Sequence, residues 1–405
     1  MRERERERGN QPQIRFQSFK EEWKSKRWSD ITKRVSLISS DLELQKIDTE
    51  DIEKGGINLV SNFEIKKDQR QGVLFKKGQL VYSKLNPHLQ KVISPNFDGI
   101  AYGNFWVFDP IGNNPGFILF LMISPEWKKV ANIKHGSSLV YSNIKLISQS
   151  HFFITSDIVE QKQISNIFNS LNTQIVKRKK LRFLLDDFFE NIKRKMYCKQ
   201  ELKLPYFTFS NSTKKEYWEL IKIGDILKRS NEKNNNGRIN IVFTNSAKDG
   251  IVIQNQYFNN NIFKHSDKRS YYVVKPNDFV YNPTISSKAP AGSFKMNKTE
   301  TTGLVSPLYS VWHPKNVNYT FLNHFFSNNY WHKHVLKYSN IGVRASVIQI
   351  SDSDFQRMLI PICSEQEQER IAKLLNYLEK LIILKQKEIK LLSMLKDTLL
   401  MKMYM

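Results

Sequence analysis

Residues 160–198 read EQKQISNIFNSLNTQIVKRKKLRFLLDDFFENIKRKMYC, and residues 367–405 read EQERIAKLLNYLEKLIILKQKEIKLLSMLKDTLLMKMYM. The two stretches align without a gap at an offset of 207. Both open on Glu-Gln and close with Lys-Met-Tyr, and they share Ile164/Ile371, Asn169/Asn376, Leu171/Leu378, Ile175/Ile382, Lys180/Lys387, Leu184/Leu391 and Leu185/Leu392. Each carries an alternating four-three spacing. The first runs Ile164, Phe168, Leu171, Ile175, Arg178, Arg182, Leu185, Phe189, Ile192, Met196. The second runs Ile371, Leu375, Leu378, Ile382, Lys385, Ile389, Leu392, Lys396, Leu399, Met403. Lys385 and Lys396 interrupt the second run as Arg178 and Arg182 interrupt the first. With no Gly or Pro in either stretch, the narrow apolar stripe predicts a coiled-coil seam on two long helices. A helix with one narrow seam needs a partner, and the obvious partner is its own repeat.

Working outward, the segment before each helix is also repeated. Ile14-Arg15-Phe16 leads to Trp23 and Asp30-Ile31, and Leu204-Pro205-Tyr206-Phe207 leads to Trp218 and Asp225-Ile226. Trp and Asp stand seven residues apart in both. The chain therefore reads module, helix, module, helix. Each module has mixed α/β character. Residues 72–82 predict two short strands across a Lys76-Lys77-Gly78 turn, and residues 271–281 predict the same across Pro276-Asn277-Asp278. A polar loop follows each: Ser83-Lys84-Leu85-Asn86-Pro87 and Asn282-Pro283-Thr284-Ile285-Ser286-Ser287-Lys288. Further strands are expected over 104–108 and 310–312, and short helices over 117–122 and 318–327. A second paired loop, Lys134-His135-Gly136-Ser137-Ser138-Leu139 and Ile341-Gly342-Val343-Arg344-Ala345-Ser346, combines Gly with small polar and basic residues. That composition suits close backbone approach to a phosphate.

The 63 Lys and Arg residues against 39 Asp and Glu give a formal charge of +24. A surplus of that size, spread along the chain, points to a polyanion partner, because phosphate contacts release counterions. Hydrophobic content of 40% supports real cores. Cys198 and Cys363 form no metal-ligand spacing and are expected as reduced thiols. The start, with its Arg-Glu alternation at residues 2–8, is expected to be a disordered tail and not a signal peptide. The apolar run 117–123 is too short to span a bilayer, so a cytoplasmic protein is expected.

Catalytic signatures are missing. The chain contains no Walker-type phosphate loop, no Gly-rich loop for S-adenosylmethionine, and no Asn-Pro-Pro-aromatic signature of adenine methylation. Asn282-Pro283-Thr284-Ile285 lacks the second proline and the aromatic residue. Asp109 with Glu126-Trp127-Lys128 imitates a nuclease spacing, but Pro125 makes the latter the start of a surface helix. His324, His332 and His334 lie near Trp331 with no carboxylate or Cys at ligand spacing, so a solvent-facing or nucleic-acid-facing cluster is expected over a metal site.

Ile14-Arg15-Phe16 with Trp23 and Asp30-Ile31, Val280-Tyr281-Asn282 followed by Gly303-Leu304-Val305-Ser306-Pro307-Leu308-Tyr309, and Ile360-Pro361 leading into Glu365-Gln366-Glu367-Gln368-Glu369-Arg370-Ile371 together carry a resemblance. In that order they resemble the specificity subunit of Type I restriction–modification systems, over nearly the whole chain after the tail. Before the first helix, Ile154-Thr155-Ser156-Asp157 departs from the proline-containing entry usual in that family. The resemblance implies an α+β chain with two mixed α/β target-recognition domains separated by two long helices, which form an antiparallel coiled coil in a pseudo-two-fold repeat. The expected boundaries are a charged tail at 1–11, recognition domains at 12–156 and 201–358, and helical spacers at 157–200 and 359–405. It further implies a non-catalytic subunit that reads a bipartite, asymmetric target on double-stranded DNA. Its implied partners are two modification subunits carrying S-adenosylmethionine and two restriction subunits using ATP and Mg, with no cofactor, metal or membrane contact in this chain.

Side-chain chemistry nominates the contacts, since Arg and Lys suit guanine or phosphate and Asn suits adenine. They are Lys84, Asn86, Lys134 and Ser137 in the first module and Asn282, Lys288 and Arg344 in the second. Tyr82 and Tyr281 are added, each expected as a buried strand residue with its hydroxyl at the surface. A helix over 164–196 spans roughly 50 Å at about 1.5 Å per residue, comparable with one to one and a half DNA turns of roughly 34 Å. A four-residue insertion after Lys180 should therefore change the permitted spacer but neither half-site. Two other readings compete: a stand-alone DNA-modifying enzyme, which lacks its motif here, and a basic coiled-coil scaffold, which leaves the duplicated modules unexplained.

Overall fold

The computed structural model describes residues 11–60, 62–66, 69–133, 140–197, 205–207, 209, 218–257, 268–341 and 346–404. The expected tail lies almost wholly outside them. The chain divides into two compact units, Met1–Leu181 with Lys385–Met405, and Arg182–Leu384.

In the first unit, strand Lys24–Arg27 pairs antiparallel with His151–Ile154, and the one-turn helix Trp28–Ile31 follows. A four-stranded sheet comes next, in the order Thr32–Val35, Phe105–Pro110, Leu80–Ser83, Val92–Ile93. The second unit repeats this pattern. Glu219–Lys222 pairs with Leu359–Ile362, and the sheet order is Leu227–Ser230, Ser310–Pro314, Phe279–Asn282, Ser293–Met296.

The central strands are covered on both faces. Leu80 and Tyr82 point into one apolar cluster with Trp106 and Phe108, while Val81 joins Val107 in another. In the second unit Phe279 and Tyr281 face one cluster and Val280 the other. Side chains alternate across a strand, so a short run of consecutive apolar residues serves two cores at once. The two strands expected around each turn are present, Gly72–Phe75 with Leu80–Ser83 and Tyr272–Val274 with Phe279–Asn282. They do not pair with each other: Gly72–Phe75 joins Ile38–Ser39 and Gly99–Tyr102, and Tyr272–Val274 joins Gly303–Val305. The turns match all the same. Gly78 and Asn277 take positive φ, 87° and 67°, and the next side chain, Gln79 or Asp278, accepts from the Lys76 or Lys275 amide.

The long helices run Ile158–Met196 and Glu365–Met403, 39 residues each. Asp157 starts the first, its carboxylate accepting from the Val159 and Glu160 amides at 2.7 and 3.2 Å, a cap that needs no proline. None of the twenty seam positions is exposed. Ile164, Phe168 and Ile175 are buried on the first helix, as are Ile371, Leu375, Leu378 and Ile389 on the second, with Leu171, Leu185, Phe189, Ile192, Ile382, Leu392 and Leu399 half-buried. In the first unit Ile164 and Phe168 share a core with Leu400 and Met403. In the second, Met196 shares one with Ile371 and Leu375, and Phe189 and Ile192 pack on it. Each unit thus joins the start of one long helix to the end of the other, the pairing of an antiparallel arrangement. Charge replaces apolar packing within the seam. Arg178 pairs with Glu388 at 3.3 Å, and Lys385 reaches the same carboxylate at 3.1 Å.

Candidate nucleic-acid interface

The repeated ends of the long helices act as anchors. The Gln161 carbonyl oxygen accepts from the Asn114 amide at 2.7 Å, and its amide donates to the Thr155 carbonyl at 2.8 Å. Gln368 does the same with the Asn318 amide at 3.0 Å and the Cys363 carbonyl at 2.9 Å. Asn114 and Asn318 are the N-caps of the short helices Pro115–Leu121 and Tyr319–Phe326. The preceding glutamates hold the entry segments. Glu160 takes a two-pronged ion pair from Arg15 at 2.6 and 2.9 Å, and Glu367 accepts from the Phe209 amide at 2.8 Å. At the other end, the Tyr197 hydroxyl donates to the Phe321 carbonyl at 2.6 Å and the Tyr404 hydroxyl to the Phe117 carbonyl at 2.9 Å. Burial pushes both phenols well up from their ordinary range, so they stay protonated donors.

These anchors fix a scaffold from which two loops emerge together. In the first unit the Asn86 amide donates to Val140 and the Ser142 amide to Lys84, with a bridge between Leu85 and Tyr141. In the second, the Ile285 amide donates to Ser346 and the Ile348 amide to Pro283, with a bridge between Thr284 and Val347. The loop after the Val-Tyr strand is therefore held against the stretch that follows the second nominated loop, at the same place in both units. The paired loops lie some fifty to sixty residues apart in sequence, and nothing in their composition marks them as neighbours.

Lys84 is half-buried, with its backbone in this pairing. Asn86 is half-buried at φ 51°, ψ 60°, a left-handed position that Asn tolerates and that turns the chain into the Pro87–Leu89 helical turn. Lys288 is exposed. Asn282 is committed internally: its amide donates to the Asn245 carbonyl at 3.1 Å and its oxygen accepts from the Thr284 amide at 3.0 Å. It shapes the loop rather than presenting a free edge. Lys134, Ser137 and Arg344 lie outside the described residues, as does Cys198.

Tyr82 and Tyr281 need correction. Their rings are buried as expected, but their hydroxyls are not at the surface. Tyr82 bonds the Ser142 hydroxyl at 2.8 Å, and Tyr281 donates to the Ala291 carbonyl at 2.9 Å. Each ties its strand to a loop and supports the face from behind. Burial raises both phenols above their ordinary value.

The histidines are also not one exposed cluster. His324 is 2% exposed, with Nε2 3.2 Å from the Asn376 side-chain oxygen and its ring against Phe189. Burial lowers it to about 4. His332 packs edge-on against Trp331, and His334 Nε2 lies 2.8 Å from the Asp354 carbonyl. Asp109 accepts from Gln79 and Glu126 pairs with Lys129, while Trp127, expected on a surface helix, is buried in the core. Among the described residues no group of three or more His, Cys, Asp or Glu could hold a metal ion, and no described helix is long and apolar enough to cross a membrane.

Residues 215–393 match the family model of the Type I restriction modification DNA specificity domain. No curated protein matches the chain. Among solved structures, the chain is similar to the S subunit of a Type I restriction–modification system from M. genitalium. The TM-score is 0.58 at 12% identity, covering 98% of this chain and 99% of that one. The HsdS subunit from Thermoanaerobacter tengcongensis aligns with a TM-score of 0.45 at 16% identity, covering 93% and 95%. The first of these likenesses shows a shared fold over essentially the full length, and the family match falls on the second copy of the four-stranded sheet and short helix that the first unit also has. Residues 215–393 thus carry a Type I restriction modification DNA specificity domain, in a chain whose full length shares its fold with a Type I S subunit.

Proposed function

We propose that this chain supplies the DNA sequence specificity of a Type I restriction–modification complex, each unit reading one half of a bipartite target. The observation that carries the reading is the duplicated pair of adjoining loops, raised from the same sheet position in both units and rich in groups suited to phosphates and base edges. The chain acts without a catalytic centre or cofactor of its own. S-adenosylmethionine belongs to two modification subunits, and ATP with Mg to two restriction subunits, in the cytoplasm.

Exposed apolar residues on each long helix support contacts with such subunits. Val176 and Ile383, Leu184 and Leu391, and Phe188 and Leu395 occupy equivalent places in the repeat and are 38–65% exposed. Seam packing leaves these residues uncovered on each helix, and exposed apolar groups on helices mark protein contacts.

The test is to express the full chain with its cognate modification subunit and map methylated adenines. One bipartite sequence is expected. Substituting Lys288 and its loop neighbours should alter one half-site and leave the other. A four-residue insertion after Lys180, adding about 6 Å of helix, should change the spacer alone. Methylation that is contiguous, or that does not depend on this chain, would overturn the proposal.

A further inference from the structure

The second unit contains a cavity of about 250 Å³ beside the candidate face. It opens between the loop carrying Lys288, the strand Ser293–Met296 and the turn after Tyr319–Phe326. Its floor is aromatic, from Phe294, Phe326 and Trp331, and its polar lining includes Lys288, Lys295, Asn329 and His332, with no carboxylate among the lining residues.

The first unit carries different residues at the equivalent register positions. Val81 pairs with Ile93 where Val280 pairs with Lys295. Counting from the capping Asn114 and Asn318, Ile123 corresponds to Ser327 and Trp127 to Trp331. Ile93 and Ile123 are buried apolar residues at 3% and 4% exposure. At these two positions the first unit buries isoleucines in separate apolar clusters, whereas the second has a lysine and a serine that line the cavity. A purely structural role does not require that exchange.

The cations here have no direct partner within the lining. Among the described residues the side chains of Lys288, Lys295, Asn329 and His332 make no hydrogen bond or ion pair. Glu379 and Glu190, which act on Lys295 through their charge, are themselves engaged by Lys298 and Lys193 at 2.7 and 2.8 Å. Burial holds Lys295 below its ordinary range, helped by Lys193 and Lys298. His332 is held down by burial and by Lys295 itself. An arriving anion would relieve that repulsion. The volume is below the roughly 300–1,000 Å³ of sites that enclose small molecules, yet it has room for a phosphate with a few waters of about 30 Å³ each.

We propose that this cavity binds a phosphate group of the DNA backbone, giving the second unit an anchor on its half-site. The inference rests on the reading that the second unit contacts DNA. Phosphate contacts position a protein without carrying sequence information, so the anchor should set affinity and leave the target sequence unchanged.

The test uses the full chain assembled with its modification subunit, comparing wild type with Lys295→Ile, which installs the first unit's residue. Binding to duplex DNA is measured across salt concentrations, and methylated sites are mapped. The variant is expected to lower the slope of log affinity against log salt by about 0.9, to weaken all sequences alike, and to methylate the same target. Thermal melting of the variant, expected to match or exceed wild type, confirms that it folds. An unchanged salt slope in a folded variant that still methylates its target overturns the phosphate site and leaves the specificity reading standing. A changed target sequence overturns it as well, by making Lys295 a base reader. Inorganic phosphate distinguishes the source. If it stabilises wild type but not Lys295→Ile while the DNA slope stays the same, the ligand is free phosphate and the DNA anchor is refuted. Loss of all specific DNA binding by the wild-type complex overturns both readings.

Discussion

Removing the Tyr404 side chain should loosen the first unit and spare the second. Tyr404 is 2% exposed. Its ring lies 5.1 Å from Phe117, 5.9 Å from Phe168 and 6.4 Å from Trp23, centre to centre, and its hydroxyl donates to the Phe117 carbonyl. It therefore ties the last turn of the second long helix to the short helix Pro115–Leu121 and to the start of the first long helix. Tyr404→Phe loses one buried hydrogen bond, about 1 kcal/mol. Tyr404→Ala also leaves a ring-sized void, about 3–5 kcal/mol by analogy with other aromatic truncations. In a unit of about 200 residues each kcal/mol moves the melting temperature by roughly 2–4 °C, so the Ala variant should lose on the order of 6–20 °C in the transition of that unit. Hydrogen exchange resolves the location: amides of residues 117–121 should lose protection, and those of 321–326 should keep theirs. Tyr197→Ala should do the reverse. Equal loss in both short helices after either substitution would refute the claim that each terminal tyrosine closes one unit.

Three further outcomes follow from buried charge. Glu160→Ala strands the Arg15 guanidinium, whose side chain is 8% exposed and whose proton Glu160 holds more tightly than usual. The cost should be about 3–5 kcal/mol in denaturant unfolding, and replacing both partners by apolar residues should recover most of it. His324 binds its proton only near pH 4 when folded, against 6.5 unfolded, so the unfolded chain holds more protons between those values. Stability is complete above 6.5 and falls as pH drops towards 4, by roughly 2–3 kcal/mol at pH 4.5. His324→Phe, which copies Phe120 of the first unit, should flatten a plot of melting temperature against pH over that range. Lys396 sits half-buried in the seam where the first helix has Phe189, held below its ordinary range by burial and by neighbouring Lys179 and Lys128. Its penalty is full at neutral pH and fades as pH rises towards 10.5. Lys396→Leu should raise stability by about 0.5–2 kcal/mol, measured at pH 7, with a smaller gain at pH 10.

What sequence could reach depended on whether the cause was local. The seam was legible because its period is a property of one helix. The matched turns were legible because Gly78 and Asn277 are the residue types that accept positive φ. The anchors were visible only as an unexplained likeness, since Gln161 and Gln368 find their partners 47 and 50 residues upstream. The histidines misled because adjacency in the chain says nothing about helix face: His324 turns inward and His334 does not. Lys295 was invisible because its meaning lies in the strand register.

The two copies within the chain nevertheless separate holding from reading. Where they agree, at Gln161/Gln368, Tyr197/Tyr404 and Trp127/Trp331, the residue fastens a helix or fills a core, and the packing explains the identity. Where they differ at equivalent register, at Lys84/Pro283, Asn86/Ile285 and Ile93/Lys295, the position lies on or beside the paired loops. A scaffold that must close the same way twice leaves little freedom at its joints, whereas two faces meant for different half-sites need different surfaces. Exchanging the paired loops as wholes between units should therefore alter what is read, whereas Lys295→Ile should change affinity alone. Exchanging Gln161 or Gln368 for Ala should unfasten the short helix and lower stability, because the Asn114 or Asn318 amide then loses its acceptor.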